Sequence, residues 1–293
     1  MQPAETLATA TGGALADLLA NASIEISPRE RDTIARVAEA LPVNTCVYVP
    51  APAARPLAET LAAIEAVRRA GLDPVPHVAA RRFASRAELA GFLQAAADEH
   101  GVHRVLLIAG DEAAPRGPYA DALAVLREGA LKDAGIREIG IAAYPEGHPR
   151  IGAAALAQAF DAKLALAREQ GLGAYVVTQF SFAPTRVLAC CADLARRAPE
   201  APVYVGMAGP TDPLALMRYA ARCGVSESLR ALRGLGVDGI GDLAMHTDPE
   251  EQLRALAHWC EGQPSTNVVG VHLYSFGGAL RSAHWLRDRL RPR

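Results

Sequence analysis

Eight short apolar runs, separated by longer amphipathic stretches, limit the possible folds of this chain more than any other feature of the sequence. Runs of about four to eight residues that are apolar at nearly every position are typical of parallel strands buried on both faces. We therefore predict eight such strands. The runs are Ser23–Ser27, Asn44–Pro50, Asp73–Ala79, Arg104–Gly110, Glu138–Pro145, Ala174–Phe180, Pro202–Ala208 and Asn267–Ser275.

The stretches between the runs repeat apolar residues every three or four positions, which is the spacing of one helix face. In Pro56–Ala70, for example, the pattern is formed by Leu57, Leu61, Ile64 and Val67. The same spacing predicts helices over Arg86–Ala97, Tyr119–Ala134, Ala153–Gln170, Thr185–Arg197 and Ala279–Leu290. We also expect two or three helices between Asp212 and Cys260, around Gly234–Gly241, and an N-terminal helix over about residues 4–20.

The alternation of eight strands with helices predicts an α/β fold, a (β/α)8 TIM barrel that forms a single domain over residues 1–293. An open doubly wound sheet is the alternative. It would usually carry a glycine-rich turn after its first strand, whereas the first run here continues into Ser27-Pro28-Arg29-Glu30.

Composition excludes several classes of function. The net charge of −2 provides no basic field for a nucleic-acid backbone. No run of about 18 uncharged apolar residues predicts a membrane span, and the N-terminus lacks the basic region of a signal peptide. The cysteines are odd in number, and no two form a C-x-x-C pair, so we expect reduced thiols in a cytoplasmic protein. They are Cys46, Cys190, Cys191, Cys223 and Cys260.

Polar side chains interrupt or end most of the apolar runs. In a barrel, the carboxyl ends of the strands form one rim, where active sites lie. Each residue also has a structural explanation, such as a helix cap for Asp111 or a buried, hydrogen-bonded histidine for His77, but their convergence on one rim favours a site. The set contains Glu25, His77, Asp111, Tyr144, His148, Thr178, Gln179, Phe180, His272 and Tyr274.

This polar set has neither the spacing of a metal site nor a G-x-S-x-G nucleophile turn. We therefore expect no bound metal. A rim without metal or nucleophile suits a cofactor that carries the chemistry itself and that protein groups position.

Several segments, in order along the chain, resemble the methylenetetrahydrofolate reductase family. They are Ile24-Glu25-Ile26-Ser27-Pro28, Pro76-His77-Val78, Ala109-Gly110-Asp111, Ala142-Ala143-Tyr144-Pro145-Glu146 with His148-Pro149, Thr178-Gln179-Phe180, and His272 with Tyr274. The resemblance covers about residues 22–290. It implies a barrel that binds FAD at its rim, takes electrons from NADH or NADPH, and reduces 5,10-methylenetetrahydrofolate to 5-methyltetrahydrofolate or catalyses the reverse oxidation. It also implies a homo-oligomer.

The resemblance assigns roles to individual residues. Glu25 matches the acid that assists opening of the methylene bridge, and Asp111 matches an acid close to flavin and pterin. The tetrahydrofolate derivative would contact Asp111, Gln179, Phe180 and Tyr274. The implied FAD contacts are His77, Gly110, Asp111, Ala120, Tyr144, His148, Asp161 and Arg168.

The chemistry of these residue types agrees with the roles. Bridge opening needs a proton for a departing amine nitrogen, and Glu25 on an apolar strand is expected to have a raised pKa. A glutamine such as Gln179 offers both a donor and an acceptor to the pterin ring.

The chain also departs from the family pattern. Ala109 replaces an arginine, Val49-Pro50 replaces a Thr-Tyr-type pair, Ala183 stands where an acid is common, and Gly277-Gly278 replaces an Asn-Arg pair. These departures keep two alternatives open. One is a non-redox barrel that binds folate and has a decayed flavin site. The other is a regulatory or partner protein without activity.

Overall fold

The computed structural model describes residues 13–223, 225 and 249–291, which form a closed barrel of eight parallel strands with helices around it. The predicted barrel class is therefore confirmed. Each strand pairs with its neighbours in chain order, and the ring closes where β1 pairs with β8. The strands are Ser23–Glu25 (β1), Cys46–Val49 (β2), Asp73–Ala79 (β3), Arg104–Ile108 (β4), Glu138–Ala143 (β5), Gly173–Thr178 (β6), Val203–Ala208 (β7) and Val268–Tyr274 (β8).

Helices follow the strands and cover the outside of the barrel. Residues 13–20 form α1, and the part of the predicted N-terminal helix before residue 13 lies outside the described residues, as does Gly234–Gly241. The other helices are Ile34–Ala40 (α2), Leu57–Arg69 (α3), Arg86–Gln94 (α4), Ala122–Glu128 (α5), Ala130–Asp133 (α6), Ala153–Gln170 (α7), Pro184–Arg197 (α8), Pro213–Cys223 (α9), Pro249–Glu261 (α10) and Ala279–Leu290 (α11). No described helix is long and apolar enough to cross a membrane.

Two predicted helices differ from the structure. Within the stretch Tyr119–Ala134, the helix begins only after Asp121, whose carboxylate caps α5. It is then interrupted at Gly129, where the backbone has a φ of +79°. A left-handed residue of this kind ends a helix, so α5 and α6 are separate. The predicted helix Arg86–Ala97 leaves the α-helical path after Gln94 and continues as a π-turn over Ala95–Glu99.

The core has two layers because strand side chains alternate between the helices and the barrel interior. The outer layer packs Ile24, Val47 and Val105 against the helices. Inside the barrel, Tyr48 and Tyr175 belong to a separate cluster that is completed by Val75, Leu106 and Val177.

Tyr175 belongs to a layer of side chains that closes the amino-terminal end of the barrel. The Arg104 guanidinium lies 4.9 Å from the Tyr175 ring centre, and the Tyr204 ring is 5.9 Å from Tyr175. Any side chain at Gly140 would meet the Tyr175 ring at 2.8 Å, which explains the glycine. We call this layer the floor, and the carboxyl end of the barrel the rim.

Candidate active site

Glu25, the last residue of β1, points into the barrel. Its neighbours Ile24 and Ile26 are fully buried in the outer layer, so strand alternation turns Glu25 inward. Its side chain is 18% exposed, and its Oε2 lies 3.9 Å from Nε2 of His77. Burial raises the pKa of Glu25 to about 7, and the negative charge of Glu30 adds to the rise. Glu25 is therefore a carboxyl group that carries its proton in a large fraction of molecules at neutral pH.

Two buried histidines lie beside Glu25. Burial lowers the pKa of His77 to about 4 and that of His272 to about 3, with a further contribution to His272 from His77. Both rings are neutral at pH 7 as a result. Nδ1 of His272 is 2.9 Å from Oγ of Ser23 and shares a hydrogen bond with it, whereas Nε2 of each histidine has no hydrogen-bond partner among the described residues. Buried polar atoms without partners are costly, so these nitrogens are candidates to bind a ligand.

Tyrosine rings hold the histidines in place from both sides. The Tyr48 ring centre lies 4.4 Å from that of His272, and the Tyr274 ring packs edge-on at 4.6 Å. The Tyr274 hydroxyl donates to the carbonyl of Thr178 at 3.1 Å, and the Thr178 hydroxyl accepts from the amide of Gly206 at 2.9 Å. These bonds join β6, β7 and β8 at the rim and fix the position of Tyr274.

Gln179 and Phe180 follow β6 at the same rim. The Gln179 Oε1 accepts from the Phe180 amide at 3.1 Å. Phe180 lies 5.6 Å from Tyr274 and 5.0 Å from Phe276 between ring centres, within an aromatic cluster. Phe276 adopts a φ of +50°, which is unfavourable for a residue with a side chain, and packing against Phe180, Tyr274 and Tyr219 maintains it.

A second group of predicted residues gathers above β4 and β5. Tyr144 and His148 pack edge to face, with ring centres 5.1 Å apart, and the Asp111 carboxylate is close enough to act on the pKa of both. Burial raises the pKa of Tyr144 and lowers that of His148. The Nδ1 of His148 accepts from the Arg150 amide at 3.2 Å, which leaves Nε2 to carry the proton. The structure thus brings Asp111, Tyr144 and His148 together.

Gly110 directly precedes Asp111, and Ala120 lies further along the same loop after β4. Gly110 has a φ of +95°, a conformation that favours glycine, and the Glu112 carboxylate fills the space where a Cβ would lie. The Ala120 carbonyl accepts from Nε of Arg81 at 2.7 Å, which ties the loop after β4 to the loop after β3.

Arg168 is a correction to the predicted site. Helix α7 begins at Ala153 near the rim and runs back toward the floor, because it must return the chain to the start of β6. At 1.5 Å per residue, Arg168 lies about 22 Å along the helix from Ala153. It pairs with Glu200 and lines a cleft of about 340 Å³ beside the first residues of β4, β5 and β6. Arg168 cannot contact a ligand at the rim from there.

Asp161 is the second predicted residue that the structure keeps away from this group. It lies halfway along α7 and is 59% exposed. Its carboxylate forms an ion pair with Arg197 of α8, with an N–O distance of 2.8 Å. Among the described residues, Asp161 therefore joins two outer helices, and its contact with FAD stays a prediction.

Three arginines at the rim were not predicted from the sequence. Arg82 is buried and donates to the carbonyls of Pro52 and Arg55, and Arg116 donates to that of Ala53 at 2.8 Å. Arg82 and Arg116 thus fix the loop after Val49-Pro50 through backbone carbonyls, whereas Arg81 donates to the carbonyls of Glu112 and Ala120 in the loop after β4. No motif marks such contacts, because a carbonyl acceptor can belong to any residue type.

The pair Gly277-Gly278 lies at the start of α11. A Cβ at Gly278 would meet the carbonyls of Pro210 and Ser275 at 3.1 Å and Nε of Arg281 at 3.2 Å. The guanidinium stem of Arg281 thus occupies space beside the glycine. Sequence reasoning missed it because it lies three positions later, on the first turn of the helix.

The arrangement can deliver a proton but shows no metal centre. Within residues 13–223, 225 and 249–291, no three His, Cys, Asp or Glu side chains are grouped to hold a metal ion. Burial raises the pKa of four of the cysteines, to about 11 for Cys46, Cys190 and Cys260 and higher still for Cys191, which makes them poor nucleophiles.

No protein-family model matches the chain. The chain is similar in structure to dihydropteroate synthase from Thermus thermophilus in complex with 6HMPPP, with a TM-score of 0.47, 15% identity and 92% of each chain covered. A second structure of that enzyme gives a TM-score of 0.46 at 15% identity, with coverage of 92% and 93%. A 3-dehydroquinate dehydratase from Geobacillus kaustophilus gives 0.41 at 14% identity, with coverage of 64% and 73%. At these identities and TM-scores, the likeness tells nothing about what this chain binds or converts.

Proposed function

We propose that this protein reduces 5,10-methylenetetrahydrofolate to 5-methyltetrahydrofolate, or catalyses the reverse oxidation, with FAD and with NADH or NADPH. The observation that carries the proposal is Glu25, a largely buried carboxyl group at the rim whose pKa is raised to about 7. A general acid works best when its pKa is close to the operating pH, and opening of the methylene bridge requires one.

Among the titratable side chains at this part of the rim, Glu25 is the one whose pKa suits a proton donor. His77 and His272 are neutral at pH 7 because their pKa values are about 4 and about 3. The pKa of Tyr48 and that of Tyr274 are both raised by burial, so their hydroxyls hold their protons. In the forward direction, the bridging C–N bond breaks, a hydride adds to the carbon, and the amine nitrogen takes the proton of Glu25.

The residues above β3, β4 and β5 fit a flavin. His77 offers a buried Nε2 without a hydrogen-bond partner among the described residues, Gly110 turns the chain with a φ of +95° just before Asp111, and Tyr144 packs against His148 near Asp111. When bound there, FAD would accept a hydride from the nicotinamide and pass it to the folate. His77, Tyr144 and His148 would hold and orient it, whereas Arg168 would take no part.

Gln179 and Asp111 are the proposed pterin contacts. A pterin ring presents amide and amine donors next to acceptors. The Asp111 carboxylate can accept from the donors, and Gln179 can serve both kinds of group. Phe180 and Tyr274, fixed in the aromatic cluster, would provide an apolar wall for the same ligand.

Two measurements test the proposal. Titration of the purified protein with FAD should give saturable binding and a flavin absorbance band at about 450 nm. Stopped-flow absorbance should then show reduction of the bound flavin by NADH or NADPH and its reoxidation by methylenetetrahydrofolate. No binding at tens of micromolar FAD would contradict the proposal.

A second function, a non-redox folate-binding barrel, is favoured by one specific observation. Two of the proposed flavin contacts, Asp161 and Arg168, are engaged with Arg197 and Glu200 away from the rim. Calorimetry separates the two functions: tetrahydrofolate binding that is unaffected by FAD, in a protein that binds no FAD, would support this alternative.

A further inference from the structure

We propose that Glu30 is a positioning residue for Glu25: it ties the rim loop after β1 to the rim loop after β8 and keeps a fixed negative charge beside the Glu25 carboxyl group. The mechanistic part of this inference rests on the proposed function, in which Glu25 is the proton donor. The contacts themselves do not depend on that function.

The Glu30 carboxylate binds two backbone amides from different parts of the barrel. Its Oε2 accepts from the amide of Ser27 at 3.1 Å, and its Oε1 accepts from the amide of Ala279 at 3.0 Å. Ser27 begins the short 3-10 helix Pro28–Thr33 that follows β1, and Ala279 begins α11, which follows β8. One side chain therefore links the loop after β1 to the start of α11, at the part of the rim where β1 pairs with β8.

Helix α11 depends on this contact because it has no cap of its own. Its N-cap residue is Gly278, which has no side chain to accept from the free amides of the first turn. A side chain at Gly278 would also be crowded, because its Cβ would lie 3.1 Å from the carbonyls of Pro210 and Ser275. Glu30 supplies the missing cap from another part of the chain.

The same contacts place the Glu30 carboxylate at the amino-terminal ends of two helices. The amino-terminal ends of helices carry partial positive charge, which stabilises a carboxylate placed against their free amides. The Glu30 carboxylate meets an amide at the start of each of two helices. Its negative charge is thus held in place by backbone groups rather than by a mobile cation.

The negative charge of Glu30 matters because the other side chains that face Glu25 are neutral. The facing groups are Tyr48 from β2, His77 from β3, and His272 and Tyr274 from β8, together with Glu30 after β1. Both histidines and both tyrosines are neutral at pH 7, so Glu30 is the charged member of this group. A nearby negative charge favours the protonated form of a carboxyl group, and it raises the pKa of Glu25 in addition to the effect of burial.

The test is to measure the titration of Glu25 directly. The side-chain carboxyl carbons of ¹³C-labelled protein are followed by NMR against pH, and Glu25→Gln identifies the Glu25 signal. Glu30→Gln removes the charge but keeps the shape and one acceptor oxygen, so we expect a folded protein with a lowered Tm. Its Glu25 midpoint should fall by about half a pH unit or more.

Two further variants make the test selective. Glu39→Gln changes an exposed glutamate on α2 and should leave the Glu25 midpoint unchanged. Glu30→Asp keeps the charge but cannot reach both amides, so its midpoint should lie between those of wild type and Glu30→Gln. A Glu25 midpoint that is the same in wild type and in folded Glu30→Gln would overturn the proposal, as would a midpoint in Glu30→Asp below that of Glu30→Gln.

The titration needs neither flavin nor folate, so its failure and that of the proposed function can be told apart. If the protein binds no FAD but the midpoint shifts, only the reductase assignment is lost. If the protein is a reductase, the alkaline limb of the folate half-reaction should move to lower pH in Glu30→Gln, by the same amount as the NMR midpoint. An unchanged limb beside a shifted midpoint would contradict the mechanistic part of the inference.

Discussion

The floor and the rim of this barrel both carry charged and aromatic side chains, but the two ends differ in whether the polar atoms of these side chains have partners. On the floor, Arg104 pairs with Glu138, lies over Tyr175 and approaches the thiol of Cys46 at 3.7 Å. At the rim, His77 and His272 each leave a buried ring nitrogen without a partner among the described residues.

The paired polar groups of the floor stabilise the fold, whereas the unpaired histidine nitrogens of the rim lower its stability. A satisfied polar contact contributes modestly to stability, whereas an unsatisfied buried one costs about 1–3 kcal/mol. The rim also contains Phe276 with its φ of +50°. The unpaired histidine nitrogens and the strained aromatic residue lie at the carboxyl end of the barrel, where active sites of this fold are found, and favour this end as the one that binds a ligand.

The largest expected effect is on the chemistry at the rim. Glu25→Gln retains size and hydrogen bonding but has no proton to donate, so the folate half-reaction should slow by about 10²–10⁴-fold. Reduction of the flavin by the nicotinamide should be nearly unchanged. Stopped-flow absorbance measures the two steps separately. Reoxidation by methylenetetrahydrofolate at the wild-type rate would show that Glu25 has a structural role only.

The same variant should reveal how much Glu25 lowers the free energy of unfolding as the pH rises. The pKa of Glu25 is 4.5 in an unfolded chain and about 7 in the folded protein, so the unfolded state releases this proton first as pH rises. Wild type should therefore lose stability between about pH 5 and pH 8, on the order of 2–3 kcal/mol more than Glu25→Gln loses. Urea unfolding at both pH values measures the difference. Parallel curves for the two proteins would place Glu25 in contact with water.

On the floor, a substitution should affect stability but not ligand binding. Arg104→Met removes the ion pair with Glu138 and the contact with Tyr175, and we expect a loss of about 2 kcal/mol. The loss stays moderate because Glu138 is 39% exposed and water can solvate it. Urea unfolding gives the stability change, and the FAD dissociation constant is the control. A large change in FAD affinity would weaken the division between floor and rim.

The smallest predicted effect is on folate binding. Gln179 is half-buried, so losing its hydrogen bonds to the pterin should cost about 1–2 kcal/mol, or roughly 5–30-fold in kcat/KM for folate. Gln179→Ala should leave flavin reduction by the nicotinamide intact. Equal loss in both half-reactions would mean that Gln179 supports the flavin or the fold instead of the folate.

The sequence predicted the barrel well because its signal is periodic and local. Runs such as Glu138–Pro145 contain the whole of strand β5, and Ala153–Gln170 coincides with α7. The inward direction of Glu25 also follows from sequence once the strand is known, because Ile24 and Ile26 must both face the apolar layer under the helices.

The positions of Asp161 and Arg168 could not be derived from residue types alone. A carboxylate and a base on the helix after the fifth strand fit a cofactor by resemblance. The direction of α7, however, takes Arg168 to the floor, and the neighbouring α8 supplies Arg197 to Asp161. The charge of a side chain is readable in a sequence, but the partner that neutralises it is set by packing.

The architecture and the residue types at the ends of the strands follow from the order of residues alone, because hydrophobic period and strand order are properties of neighbouring residues. The protonation and the contacts of those residues depend on how the folded chain packs. Glu25 gains its raised pKa from burial and from Glu30, which in turn is held by Ala279 from the other end of the chain. Burial and long-range contacts arise only when the barrel closes, since closure brings β1 and β8 together.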